Sequence, residues 1–154
     1  MVIFMKAAKR EMQKEKPVLE EYDASGMVLG RFASIIAKKL INGTKINIYN
    51  AEKAVVTGSQ KVLLEKYRAR FNYRAKGNPE KGPKYFKVPH LMLKQTITKM
   101  LPTTARGVKA SKNLKVYIGN DENKKLLVAE KSKLKQGLKY LELSNLCKKL
   151  GAKW

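Results

Sequence analysis

Between residues 61 and 115 the chain is dominated by one kind of chemistry: cations with aromatic rings set among them. Arg68, Arg70, Arg74, Lys76, Lys81, Lys84, Lys87, Lys94, Lys99, Arg106, Lys109 and Lys112 stand there against only two acids, Glu65 and Glu80. Phe71, Tyr73, Tyr85 and Phe86 fall in the middle of the same stretch. Lys and Arg supply contacts to phosphates, and aromatic or guanidinium planes offer stacking faces to bases. A solvated basic face would carry acids interspersed for solubility. The concentration of cations in the middle third of the chain favours a binding surface for nucleic acid.

Other chemistry finds little support. His90 is the only histidine and follows Pro89 at a helix start, where a structural or solvent role fits better than catalysis. Asp23, Glu52 and Asp121 are isolated acids, so neither a metal site nor an acid/base pair is expected. The Ser25-Gly26 turn before a helix has a superficial likeness to a phosphate loop. It lacks the G-x-x-x-x-G-K-[ST] spacing that places a lysine and a magnesium-binding hydroxyl, and it lacks G-x-G-x-x-G. No cofactor, metal or small-molecule substrate is expected, and a small α/β nucleotide-handling enzyme is the weakest of the readings weighed.

Composition narrows the partner. The chain has 154 residues, 44% of them hydrophobic, enough for a core, and a formal net charge of +22. Self-repulsion at that charge calls for a polyanion, with nucleic acid ahead of an anionic membrane surface. No apolar run approaches the roughly eighteen residues of a membrane span. The patch Val2-Ile3-Phe4-Met5 is too short for a signal peptide. Cys147 is the only cysteine, which rules out an internal disulfide and suits a reducing compartment. Double-stranded DNA readers would show a helix-turn-helix, zinc finger or basic zipper, and none is visible. Long irregular basic loops suit the crowded phosphates of folded RNA.

The elements that must hold this surface come next. Residues 1–16 read as a charged arm ended by Pro17. Residues 17–23 read as a first strand and 24–26 as a turn. Leu29, Phe32, Ile36 and Leu40 recur at spacings of three and four and predict an amphipathic helix, ended by Asn42-Gly43. Arg31, Lys38 and Lys39 on that helix are secondary phosphate contacts or solvated charges. Gly30 admits two explanations: close packing of the helix start against a strand, or backbone approach to a phosphate. Residues 45–50 alternate as a second strand, and 54–57 form a short third. Ser59 suits the N-cap of a helix over 60–70 whose Leu63 and Tyr67 face inward. Pro89 suits the first position of another helix, with Leu93, Ile97, Met100 and Leu101 as its stripe and Pro102 as its stop. Residues 103–113 read as a second basic connection and 114–118 as the last clear strand. Residues 121–154 read as a basic extension in which Ser144 caps a short helix ending at Gly151.

These residues resemble a known family. Asp23-Ala24, Gly26, Val28-Leu29-Gly30-Arg31, Ala33-Ser34, Ala37-Lys38 and Leu40 are similar to the opening block of the universal large ribosomal subunit protein 13 family. Asn50-Ala51-Glu52-Lys53-Ala54-Val55, Thr57 and Gly58 resemble its second block. Met100-Leu101-Pro102, Arg106-Gly107 and 114–119 resemble its third. The Gly82-Pro83 segment leading to Pro89 looks like the archaeal and eukaryotic branch. Two positions depart from the pattern: Thr98-Lys99 stands where Arg-Gly is usual, and Asp121 stands near the place of a proline. The resemblance implies a three-layer α/β/α fold around a mostly parallel four-stranded sheet, with 17–120 as the rRNA-binding core. It implies a non-catalytic structural role on the cytoplasmic ribosome, with large-subunit rRNA and neighbouring ribosomal proteins as partners. A non-ribosomal RNA-binding protein or RNA chaperone is the alternative.

One expectation concerns order. The 71–88 loop has too few apolar groups to offset about 1–2 kcal/mol per residue of backbone ordering. It is expected to be mobile in the free protein and to order on RNA.

Overall fold

The computed structural model describes residues 18–73, 75–119, 126–134 and 137–153. The expected arm over 1–16, the end at Pro17, and the residues Arg74 and Asp121 lie outside the described residues. The fold is α/β, of the three-layer α/β/α kind, with five α-helices among the described residues. Its main sheet has the order β4-β2-β1-β5, from Leu114–Val116, Lys45–Tyr49, Leu19–Asp23 and Leu127–Val128, and every pairing in it is parallel.

Register sets the buried face. Tyr22 lies opposite Ile48, and Ile46 opposite Leu114, so these four side chains share one side of the sheet, and all are buried. Helix α1, Leu29–Ile41, lays Leu29, Phe32, Ala33, Ile36, Ala37 and Leu40 into the core. Those positions recur every three or four residues, as an amphipathic helix requires. Gly43 ends it at φ 96°, its N–H donating to the Leu40 carbonyl at 3.1 Å. Helix α3, Pro89–Met100, packs against α1 and β4 through Met92, Leu93 and Ile97, with Pro89 buried at its first position. Helix α2, Gln60–Asn72, buries only Leu63 fully. Ser59 does sit at its N-cap, but its hydroxyl makes no cap hydrogen bond.

Several sequence expectations change here. Residues 103–113 are not an open connection: Ala105–Lys112 is a helix, α4. Its Gly107 is required, because a Cβ there would sit 1.8 Å from the Pro102 carbonyl oxygen. Gly30 is not a packing glycine, since among the described residues a Cβ there would meet nothing within 4 Å. Met100 is half-exposed rather than part of the buried stripe.

The strand β3, Val55–Thr57, joins a second, two-stranded sheet instead of the parallel one. Its antiparallel partner is β6, Tyr140–Glu142. Helix α5, Leu143–Lys149, follows directly. Ser144 is inside this helix rather than at its cap, and Gly151 closes it at φ 79°. The described residues beyond 126 are bound into the body of the fold. Leu143, Leu146 and Cys147 are fully buried and Leu141 and Leu150 nearly so, all in the same core cluster as α1 and α3.

Candidate nucleic-acid interface

The cations are carried outward by elements whose other faces fill the core. On α3, Leu93 and Ile97 point in while Lys94 and Lys99 are exposed. On α2, Arg68 and Arg70 are exposed, and on α4 so are Arg106, Lys109 and Lys112. Lys76, Lys81, Lys84 and Lys87 are exposed along the 75–88 segment, and Arg31 and Lys38 on α1. Lys39 alone among the described candidate cations is half-buried.

Two of these cations hold the protein itself together. Lys39 Nζ donates to Glu20 Oε2 at 2.7 Å and also to the Tyr22 hydroxyl. Burial would raise the Glu20 pKa, but its hydrogen bonds with Lys39 and Tyr22 hold it below the usual carboxylate range. The same bonds raise Lys39 above its ordinary value. Arg106 donates from Nε and Nη2 to the Ile41 carbonyl at 3.3 and 3.1 Å, tying α4 to the end of α1.

The 75–88 segment has a definite course. The Asn78 side chain accepts from the N–H groups of Glu80 and Lys81 and starts a 3-10 turn over Pro79–Lys81. Gln95 Nε2 donates to the Lys84 carbonyl at 2.6 Å and fastens the segment to α3. Tyr85 meets Phe71 edge-on at 6.3 Å between ring centres and lies beneath Lys99, whose Nζ is 4.5 Å from the ring centre. Lys87 stands 5.5 Å over Phe71, and Arg70 5.2 Å over Tyr67. Arg70, Lys87 and Lys99, far apart in sequence, are thereby gathered round one aromatic slot of about 300 Å³ between α2 and α3.

Sequence reasoning missed Tyr67, Met92, Gln95 and Met100 as lining residues of that slot. The signal was available: Tyr67, Arg70 and Phe71 repeat at helical spacing on α2, as do Met92, Gln95, Thr96 and Lys99 on α3. It also missed Lys131, which lies with Lys38 and Lys39 along a second groove of about 700 Å³ beside β5. No helical or strand period links position 131 to α1.

The acids serve the scaffold. Asp23 Oδ1 accepts from Asn50 Nδ2 at 2.9 Å, from the Ser25 N–H at 3.0 Å and from the Ser25 hydroxyl at 2.8 Å. Burial would raise its pKa, but these hydrogen bonds and nearby Lys53 hold it below the usual range. Asn50 adopts the left-handed conformation, φ 54°, from which its amide reaches back to Asp23. Glu52 accepts from the Gly119 N–H at 3.1 and 3.3 Å. No group of three or more His, Cys, Asp or Glu suited to a metal occurs among the described residues. His90 Nδ1 is buried without a hydrogen-bond partner among the described residues. Burial pushes the Cys147 thiol up to about 12, which leaves it inert as a nucleophile. No helix among the described residues is long and apolar enough to cross a membrane.

A family model described as ribosomal protein L13 matches residues 19–123. The chain belongs to the ribosomal protein L13 family. Members are structural components of ribosomes and not enzymes. Archaeal proteins are among its curated relatives. The chain is 42% identical over 135 residues to the large ribosomal subunit protein uL13 of Methanocaldococcus jannaschii, covering 86% of this chain and 97% of that protein. The uL13 of Methanosarcina barkeri is 41% identical over 139 residues, again 86% and 97% of the two chains. That of Methanopyrus kandleri is 36% identical over 154 residues, 92% and 94%.

The L13-like blocks meet in space. Asp23 of the first holds Asn50 of the second, Gly26 N–H donates to the Lys53 carbonyl, and Glu52 holds Gly119 at the end of the third. The departure at Lys99 places a cation over Tyr85.

Proposed function

We propose that the protein is a structural constituent of the large ribosomal subunit of the cytoplasmic ribosome, where it binds and stabilises large-subunit rRNA beside neighbouring ribosomal proteins. The observation that supports this most is the outward display of cations. Arg68, Arg70, Lys94 and Lys99 on α2 and α3, the lysines of 76–87, and Lys109 and Lys112 on α4 all reach solvent from a well-packed α/β body. Such a display neutralises phosphates and releases their counterions. RNA contact is assigned chiefly to residues 17–120, while the described part of 121–154 mainly completes the core. Arg31 and Lys38 remain secondary contacts. Lys39 and Arg106 have protein partners and are expected to contribute less to RNA than the others in the set.

Gradient sedimentation tests the assembly. The native protein should travel with large subunits, and a protein running free of them would defeat the ribosomal reading in favour of a free RNA chaperone. Salt titration tests the surface. Each lost phosphate contact should flatten log affinity against log salt by about 0.7–0.9. Replacing Lys81, Lys84, Lys87 and Lys94 with Ala should therefore lower the slope by about three. An unchanged slope would move the RNA elsewhere on the molecule.

A further inference from the structure

We propose that the slot between α2, α3 and the Lys84–Lys87 segment receives a single unstacked base of the bound RNA. The inference rests on the RNA-binding reading and adds to it a place where a base, rather than a phosphate, is held. The lining is aromatic and thioether: Tyr67, Phe71, Tyr85, Phe86, Met92 and Met100. Every base has a π-face, so such walls accept one without needing its sequence. At about 300 Å³ the slot lies at the lower end of the range for small-ligand sites, a size suited to one flat ring system.

The polar groups at the wall give the base an orientation. The Gln95 amide already donates to the Lys84 carbonyl, and the Thr96 hydroxyl donates to the Met92 carbonyl at 2.9 Å. Beyond these bonds Gln95 keeps its carbonyl oxygen and a second amide N–H, and Thr96 its hydroxyl lone pairs, groups able to bond the edge of a base such as adenine. Charge completes the site. Arg70 and Lys99 line the slot and Lys87 stands over Phe71 beside it, placed for the phosphates on either side of an inserted nucleotide. An apolar side chain from another protein would fit the rings but would gain nothing from three cations around them.

The test uses the full-length protein and two labelled ten-nucleotide RNA strands at fixed salt, one of adenosines and one abasic with the same backbone. The adenosine strand should bind about tenfold more tightly. Phe86→Ala and Met100→Ala, at residues that are 45% and 43% exposed and so tolerable to the fold, should each bring it toward the abasic level. Binding of the abasic strand should stay unchanged. Equal affinity for both strands, or an advantage that survives both substitutions, would overturn the proposal and leave the slot to a neighbouring protein's side chain. The abasic strand reports the phosphate surface alone, so loss of discrimination leaves the RNA reading intact. Failure of both strands to bind would remove both.

Discussion

Replacing Leu146 with alanine tests whether α5 belongs to the core. Leu146 is fully buried in the cluster that includes α1 and α3. Truncating a buried leucine costs about 2–5 kcal/mol, according to how far the cavity collapses. At about 3 kcal/mol, the midpoint of thermal unfolding should fall by roughly 6–12 °C for a chain of this size. The next residue supplies a reporter. Cys147 is the only cysteine, is fully buried, and has its thiol pushed up to about 12, so a thiol reagent reaches it only after α5 opens. If α5 opens with the rest of the molecule, Leu146→Ala should speed labelling by about 100- to 200-fold, since about 1.4 kcal/mol is tenfold. The assay is labelling with an aromatic disulfide at pH 8, calibrated against the chain in denaturant. Wild-type Cys147 reacting as fast as the denatured chain, or a variant within about twofold of wild type, would refute the placement of α5.

Gly107→Ala forces a Cβ into the Pro102 carbonyl, and should cost at least about 2 kcal/mol despite alanine's better helix propensity. A melting temperature unchanged from wild type would show that the close approach is relaxed in solution. Asp23 has its pKa lowered in the fold, so its contribution is present above the ordinary carboxylate value of about 3.9 and is lost as pH falls through the depressed value. Asp23→Ala should therefore lower stability near neutrality and flatten its loss in acid; a parallel acid profile would contradict this. Trypsin should cut the free protein after Lys76 and Lys81 before Lys84, whose carbonyl is tied to Gln95, and bound rRNA should protect all three. Equal resistance in the free state would mean that the segment needs no RNA to order it.

The parts of the fold legible in the sequence were those with a strong period. The α1 stripe and the alternation of 45–49 needed only spacing to be read. Helix α4 escaped because its buried residues are Gly107 and Ala110, too small to mark a stripe, while its one large apolar residue, Val108, is exposed. Strand β5 is two residues long and carries no period at all. The core role of α5 was hidden by the lysines around it, which obscure Leu143, Leu146 and Leu150. On the candidate surface, composition located the cations but could not tell that Lys39 and Arg106 are hydrogen-bonded to Glu20 and Ile41. The partners that decide this are 19 and 65 residues away in the chain.

The pairing of β1 with β5 has a consequence for synthesis. Strand β1 finds one neighbour, β2, soon after it is made, but Tyr22 meets its other partner only at Leu127. At about 5–20 residues per second, the first strand waits roughly 5–20 s with one edge of N–H and C=O groups open. Open edges invite pairing with other chains. Glu20 and Glu21 on the strand itself, and mutual repulsion between nascent copies that are already strongly basic, oppose such pairing during the wait. A chain released before residue 128 would keep that edge open for its lifetime.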